Sequence, residues 1–145
     1  MLVQAILTSK ATDGVVTVAP TATVSEASKI LAEKRIGTVV VSDDGGKTAI
    51  GILSERDIVR ELAASGSGCL DQPVKSYMTQ DLITTTRQAS VQDIMARMTE
   101  GRFRHMPVVE DGKLIGIVTL GDVVKAQLAE LAMEKDALEG MIMGH

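Results

Sequence analysis

Two hydrophobic periods alternate along the chain, and the same succession of them is written twice. Val24, Ala27 and Leu31 recur at helical spacing and would line one face of a helix; Val91, Ile94, Met95 and Met98 do the same further on. Before each lies a short β-branched run, near 15–18 and 82–85, which predicts a strand. After each come two β-rich runs joined by "SDDGGK" or "EDGK", where Asp-Gly supplies the positive-φ turn of a hairpin. Thr23-x-x-Glu26 reads as a capping box and Ser90-x-x-Asp93 as a close variant. A further helix begins at Ser54 in the first half and at Thr119 in the second.

The halves align in detail. "TVAPTATV" from Thr17 matches "TTTRQASV" from Thr84, an offset of 67. "GTVVV" from Gly37 matches "HMPVV" from His105 at 68, and "GILSERDIVR" from Gly51 matches "GIVTLGDVVK" from Gly116 at 65. The changing offset predicts one extra residue at the helix end of the second copy and a shorter turn after it. The lead-ins "VQAILT" (from Val3) and "VKSYMT" (from Val74) also agree. This is a tandem duplication of a β-α-β-β-α unit.

One such unit is too small to bury both faces of its sheet. The expected fold is therefore α/β (α+β), two repeats packed sheet against sheet with pseudo-twofold symmetry and a cleft between them. The first repeat covers 1–64, and "ASGSGCLDQP" supplies a flexible linker over 65–73. The second repeat covers 74–126, and a helical extension runs over 127–145.

Composition narrows the function. The 145 residues are 45% hydrophobic, which argues for a packed core, and Tyr77 and Phe103 are the sole aromatics, so that core is aliphatic. There is little for single-stranded nucleic acid to stack on, and a net charge of −4 works against binding a phosphate backbone. No run approaches the roughly 20 apolar residues of a membrane span. The opening "MLVQAILTSK" lacks the features of a secretory leader, and one cysteine, Cys69, fits a reducing compartment; the expected location is cytoplasmic. His105 and His145 form no metal-ligand pair, Cys69 has no base near it in sequence, and no phosphate-loop or dinucleotide fingerprint is present. No catalytic residue, metal or catalytic cofactor is expected, and the protein reads as a non-enzyme.

The chemistry is left to two matching motifs, Ser54-Glu55-Arg56-Asp57 and Thr119-Leu120-Gly121-Asp122, each between a strand and a helix. Their plain role is capping, with the hydroxyl at the N-cap and the carboxylate three residues on. The same geometry lets a carboxylate accept hydrogen bonds from two ribose hydroxyls while the hydroxyl and the helix N-terminus face a phosphate. The two roles are compatible.

The duplicated pattern "TV.P..TV.EA..IL....IG.VVV.DD....GI.SERDI" resembles a pair of cystathionine-β-synthase (CBS) domains, the arrangement called a Bateman module, over nearly the whole of 3–125. The resemblance implies a regulatory module that holds an adenosine-containing ligand between the repeats: AMP, ADP, ATP, NAD(H) or S-adenosylmethionine. For one site it implies Thr119 near phosphate, Asp122 on the ribose, Ile117 beside adenine, Arg104 and His105 reaching phosphate, and Val15, Arg35 and Ile36 completing the pocket. For the other it implies Ile52, Ser54 and Asp57 with Leu82, Phe103 and Arg104, and Arg56 adding positive charge.

Arg104-His105 in the second copy stands against Ile36-Gly37 in the first on this alignment, so the Asp122 site is expected to bind tighter. Arg102 and Arg104 can also be read as a solvated basic edge. Beyond Asp122, the stripe Val124, Leu128, Leu131, Leu138 and Ile142 either packs on its own module or forms a seam with a partner. A homodimer that passes ligand occupancy to a regulated partner is expected. The alternative is an interaction module that binds no nucleotide.

Overall fold

The computed structural model describes residues 1–10 and 15–142. Helix α1 (Val3–Ser9) is followed by β1 (Thr17–Val18), α2 (Val24–Lys34), β2 (Thr38–Val41), β3 (Gly51–Ser54) and α3 (Glu55–Ser65). The second half carries α4 (Val91–Gly101), β4 (His105–Glu110), β5 (Lys113–Thr119) and α5 (Leu120–Ile142). The α+β architecture of two repeats and a long last helix is as the pattern predicts. No helix among the described residues is long and apolar enough to cross a membrane.

Local signals are realised where they were strongest. Thr23 accepts from the Glu26 amide while the Glu26 carboxylate accepts from the Thr23 amide, closing the predicted box, and Ser90 accepts from the Asp93 amide. Val24, Ala27 and Leu31 bury one face of α2; Val91, Ile94 and Met98 bury that of α4, with Met95 partly buried beside them. The short hairpin turns at Asp111 (φ 52°) and Gly112 (φ 76°), the left-handed pair that its Asp-Gly step favours. The first strand is shorter than expected: β1 has two residues, and its counterpart reduces to a single parallel bridge between Thr85 and Val108.

Strand register corrects the alignment at the most consequential place. Thr38 pairs with Ser54, and His105 pairs with Thr119. The Glu55 amide donates to the Gly37 carbonyl (2.9 Å) just as the Leu120 amide donates to that of Arg104 (2.8 Å). Arg35 and Arg102 both end their helices in the left-handed region. Thr38 is thus the counterpart of His105 and Gly37 that of Arg104; the offset stays at 67, and no extra residue follows α4. Matching the Val-Val pairs in sequence had shifted the register by one.

The apolar core forms two clusters, one per repeat, each completed by a lead-in from elsewhere in the chain. Val3 and Ile6 of α1 belong to the cluster of the second repeat, with Val91, Ile94, Met106 and Val118. The Val3 amide donates to Ala89 O, and Val91 N to Met1 O, both at 2.9 Å. Symmetrically, Val74 joins the first cluster; its amide donates to Ala22 O at 2.7 Å, while Val24 N donates to Gln72 O at 3.0 Å. Both lead-ins cross a glycine. A Cβ on Gly51 would lie 2.5 Å from Met78 Sδ, and one on Gly116 would lie 2.6 Å from Leu7 Cδ2, so a side chain at either position would force the lead-in side chain above it to move.

The 65–73 segment is ordered, contrary to the expectation of a flexible linker. It folds into a 3-10 helix over Ser67–Asp71 packed on α2 and α3, and Cys69 is buried there. Gly and Ser suggested freedom; Cys69 and Leu70 supply the apolar anchors that remove it. The stripe on α5 resolves the other way: Leu128, Leu131, Leu138 and Ile142 stay more than half exposed, so it does not pack on its own module. Val123 and Ala126 are the buried residues of α5, and Leu120 packs against the same core.

Candidate functional site

A cleft of about 380 Å³ opens between the repeats above the start of α3. It is built from the cleft-facing side of β2 and β3, the N-terminus of α3, the stretch after Met78 and the turn leading from α4 into β4. Residues alternate along a strand, so Val39, Val41 and Leu53 point into the first core while Thr38, Ile52 and Ser54 face the opposite side. All seven residues expected of the Asp57 site line this one cleft: Ile52, Ser54, Arg56, Asp57, Leu82, Phe103 and Arg104.

At its floor, Ser54 and Asp57 form a reciprocal cap. The Ser54 amide donates to Asp57 Oδ2 at 3.0 Å, and the Asp57 amide donates to Ser54 Oγ at 3.2 Å. This fixes the carboxylate at the mouth of the helix, and no ion pair reaches it among the described residues. Arg56, Arg60, Arg102 and Arg104 line the cleft against the carboxylates of Glu55, Asp57 and Asp81. The balance favours an anionic ligand end, with apolar walls from Ile52, Leu82, Ile83 and Phe103 for the rest. Arg60, Thr79, Asp81 and Ile83 were not anticipated from sequence.

The second expected site is assembled differently. Arg104, His105 and Thr119 line a shallower depression with Gly37, Glu55, Val124 and Leu128. Val15, Arg35, Ile36, Ile117 and Asp122 are not among its lining residues. Arg35 is an exposed left-handed cap of α2, and Ile36 packs against the first core. The Thr119–Asp122 cap forms as expected, with Thr119 N donating to Asp122 Oδ2 at 2.9 Å. Lys10 then reaches in from the end of α1. Its Nζ donates to that same Oδ2 at 2.8 Å and to the Ile117 carbonyl at 2.9 Å.

Lys10 therefore engages both groups assigned to ribose and adenine recognition. Burial alone would raise the Asp122 carboxyl; the bonds from Lys10 and the Thr119 amide outweigh it and hold the group below its ordinary value. A depressed carboxyl favours the fold above its unfolded pKa, and that contribution fades as pH falls through the folded value. Continuing the match of the lead-ins would have flagged the asymmetry, since Lys10 stands where the second lead-in has Asp81.

His105 lines both depressions, as do Gly37, Glu55 and Arg104. Burial first, then the Arg104 charge, pushes its imidazole below the usual range, partly offset by Glu55 and Asp122. It is neutral at neutral pH, a hydrogen-bonding group rather than a cation.

Comparison with known proteins fits this geometry. The CBS-domain family model matches residues 4–64 and again 74–129. The chain belongs to the CBS-domain family. Its fold matches the crystal structure of a CBS-domain protein from Agrobacterium tumefaciens, 42% identical, with a TM-score of 0.82 over 88% of this chain and 99% of that one. A CBS-domain protein from Pyrobaculum aerophilum, solved in complex with AMP, is 28% identical with a TM-score of 0.77 over 92% and 99% of the two chains. A CBS domain pair solved with 5′-methylthioadenosine and S-adenosylmethionine is 26% identical, with a TM-score of 0.77 over 90% and 98%. The chain spans 70%, 61% and 82% of the lengths of three curated relatives, so one of them is considerably longer.

Proposed function

We propose that this CBS-domain pair is a non-catalytic sensor of adenosine-containing ligands and that its working site is the cleft at Asp57. The observation that carries the reading is the convergence there of a capping carboxylate that no ion pair reaches among the described residues, apolar walls and four arginines. In this reading Asp57 accepts from the ribose hydroxyls. Ile52, Leu82 and Phe103 enclose the adenine. Ser54, Arg56 and Arg104 meet the phosphate at the positive end of α3. The ligand classes to try are AMP, ADP, ATP, NAD(H) and S-adenosylmethionine; the arginines favour those carrying phosphate.

The order of affinities proposed here reverses the sequence expectation. Arg104 and His105 line the Asp57 cleft too, so the second site gains no private anion-binding equipment, and Lys10 occupies its carboxylate. One ligand per chain is the expected stoichiometry. Lys10→Met should free Asp122, raise its carboxyl pKa toward the ordinary carboxylate range in an NMR titration, and add a second, weaker binding event in calorimetry. A carboxyl that does not move would show that Lys10 leaves Asp122 alone in solution.

The exposed α5 stripe is proposed as the homodimer seam, through which occupancy reaches a regulated partner in the cytoplasm. It equally suits the second reading, an interaction module without nucleotide. Thermal unfolding with millimolar AMP, ADP, ATP, NAD+, NADH and S-adenosylmethionine separates the two. At a hundredfold excess over its dissociation constant, a native-state ligand adds about 2.7 kcal/mol, and the midpoint rises. No shift with any of them, in protein freed of carried-through ligand, favours the interaction module.

A further inference from the structure

Helix α5 carries an apolar stripe that its own chain leaves uncovered among the described residues. Val124, Leu128, Leu131, Leu138 and Ile142 are between 43% and 84% exposed, and Lys135 holds the remaining position of the stripe. With Lys135 counted, the steps alternate between four and three residues, the spacing of a two-helix seam. The stripe also maps onto itself when reversed about Met133. Val124 then falls against Ile142, Leu128 against Leu138, and Leu131 against Lys135. A twofold contact between two copies needs that self-complementarity.

Charge decides between the two directions in which such helices can pair. Lys125, Ala132 and Glu139 flank the stripe on one side, and Gln127, Glu134 and Met141 on the other. A parallel pair sets Glu134 against the partner's Glu139 on both sides and stacks Lys135 on the partner's Lys135 inside the seam. Reversing one helix sets Lys125 against the partner's Glu139 at both ends and Lys135 against the partner's Leu131. One unfavourable approach remains, that of Glu134 to the partner's Glu134 near the axis. The far half of α5, from Ala129 on, holds four carboxylates and one lysine, whereas the near half balances Asp122 with Lys125 and lies beside Arg104. Antiparallel pairing lays the acidic half on the neutral one, and parallel pairing lays it on itself. The same acidity argues against an anionic lipid surface as the occupant.

We propose that two copies of this chain pair their α5 helices antiparallel, the end of each lying along the near half of the other. The inference rests on the reading of the stripe as a homodimer seam and adds its direction. Val124, Lys125 and Leu128 line the second depression with Arg104 and His105, so the partner's Leu138 and Ile142 seat on its rim and wall its open side. The Asp57 cleft has no lining residue from α5 and stays open in the dimer.

Sedimentation equilibrium of wild type, Lys125→Glu, Glu139→Lys, the double variant and Leu131→Asp tests the direction, with a melt of each to show that it is folded. An exposed ion pair is weak, but each reversal turns two attractive contacts into repulsive ones. Each single reversal should therefore weaken the dimer about tenfold at low salt, and less at physiological ionic strength. The double variant restores both pairs with their signs exchanged and should return to near the wild-type affinity. That rescue excludes a local cause, because loss of the Lys135–Glu139 contact within one helix (3.9 Å) is not mended by a change at Lys125. Tighter dimerisation of Glu139→Lys marks a parallel seam and overturns the proposal, as does a double variant no better than the single ones. Single reversals without effect, beside a Leu131→Asp that abolishes the dimer, keep the seam and overturn its direction. A dimer indifferent even to Leu131→Asp, or a wild type that is monomeric at every concentration, is a failure of the seam reading itself, and the proposal falls with it.

Discussion

Asp57→Asn is expected to leave the protein folded and to weaken nucleotide binding by about tenfold to a hundredfold, the worth of charge-assisted hydrogen bonds to a ribose diol. The amide oxygen of asparagine can still accept from the Ser54 amide, so the cap survives and stability should change by less than about 1 kcal/mol. Calorimetric titration against a melt of the free protein separates binding from folding. The matching change at Asp122 is the control, because that carboxylate already bonds Lys10. Its loss should leave the first cleft's affinity where it was. Equal losses at the two positions would mean that both clefts bind and that the lysine yields readily to ligand. No loss at Asp57 would reduce its motif to the capping box that sequence alone reads in it.

Ile6→Ala should destabilise the protein by about 3 kcal/mol, within the range of large-to-small core changes, and lower the melting midpoint by roughly 6–12 °C. The side chain is 3% exposed and packs in the second repeat's core although it lies in the first lead-in. Combining it with Ile94→Ala should give a total that departs from the sum of the single changes, since the two share a cluster. A cost under about 1 kcal/mol would show that α1 sits loosely on that core. The same substitution tells which half fails first: exchange of amides in β4 and β5 should accelerate before that of β2 and β3.

Sequence was most informative where an interaction is local. The Thr23–Glu26 box, the buried faces of α2 and α4, and the left-handed Asp111-Gly112 turn each involve neighbours within a few residues, where spacing reports geometry directly. The seven residues that the family resemblance carried over to the Asp57 motif lie along one cleft, because the motifs of that resemblance sit on both repeats. What escaped was set by long-range contact. Lys10 and Asp122 are 112 residues apart, and a lone lysine after a short helix carries no motif. The equivalence of Thr38 and His105 was hidden by an alignment that matched valines, whereas register is fixed by the backbone bonds between strands. The linker misled because composition counted its glycines and serines and not the two apolar side chains that fasten it.

The completion of the second core by α1 also sets a timetable for synthesis. Val3 and Ile6 leave the ribosome well before Met106, Val118 and Val123, which share their cluster and lie 100 or more residues further along the chain. At ordinary elongation rates of about 5–20 residues per second, that is an interval of roughly 5–20 s. The first core needs no such delay, because Val74 follows its own repeat directly. The nascent chain can thus close its first half, with the Ser54–Asp57 cap in place, while a short apolar helix waits beside it for a partner not yet made.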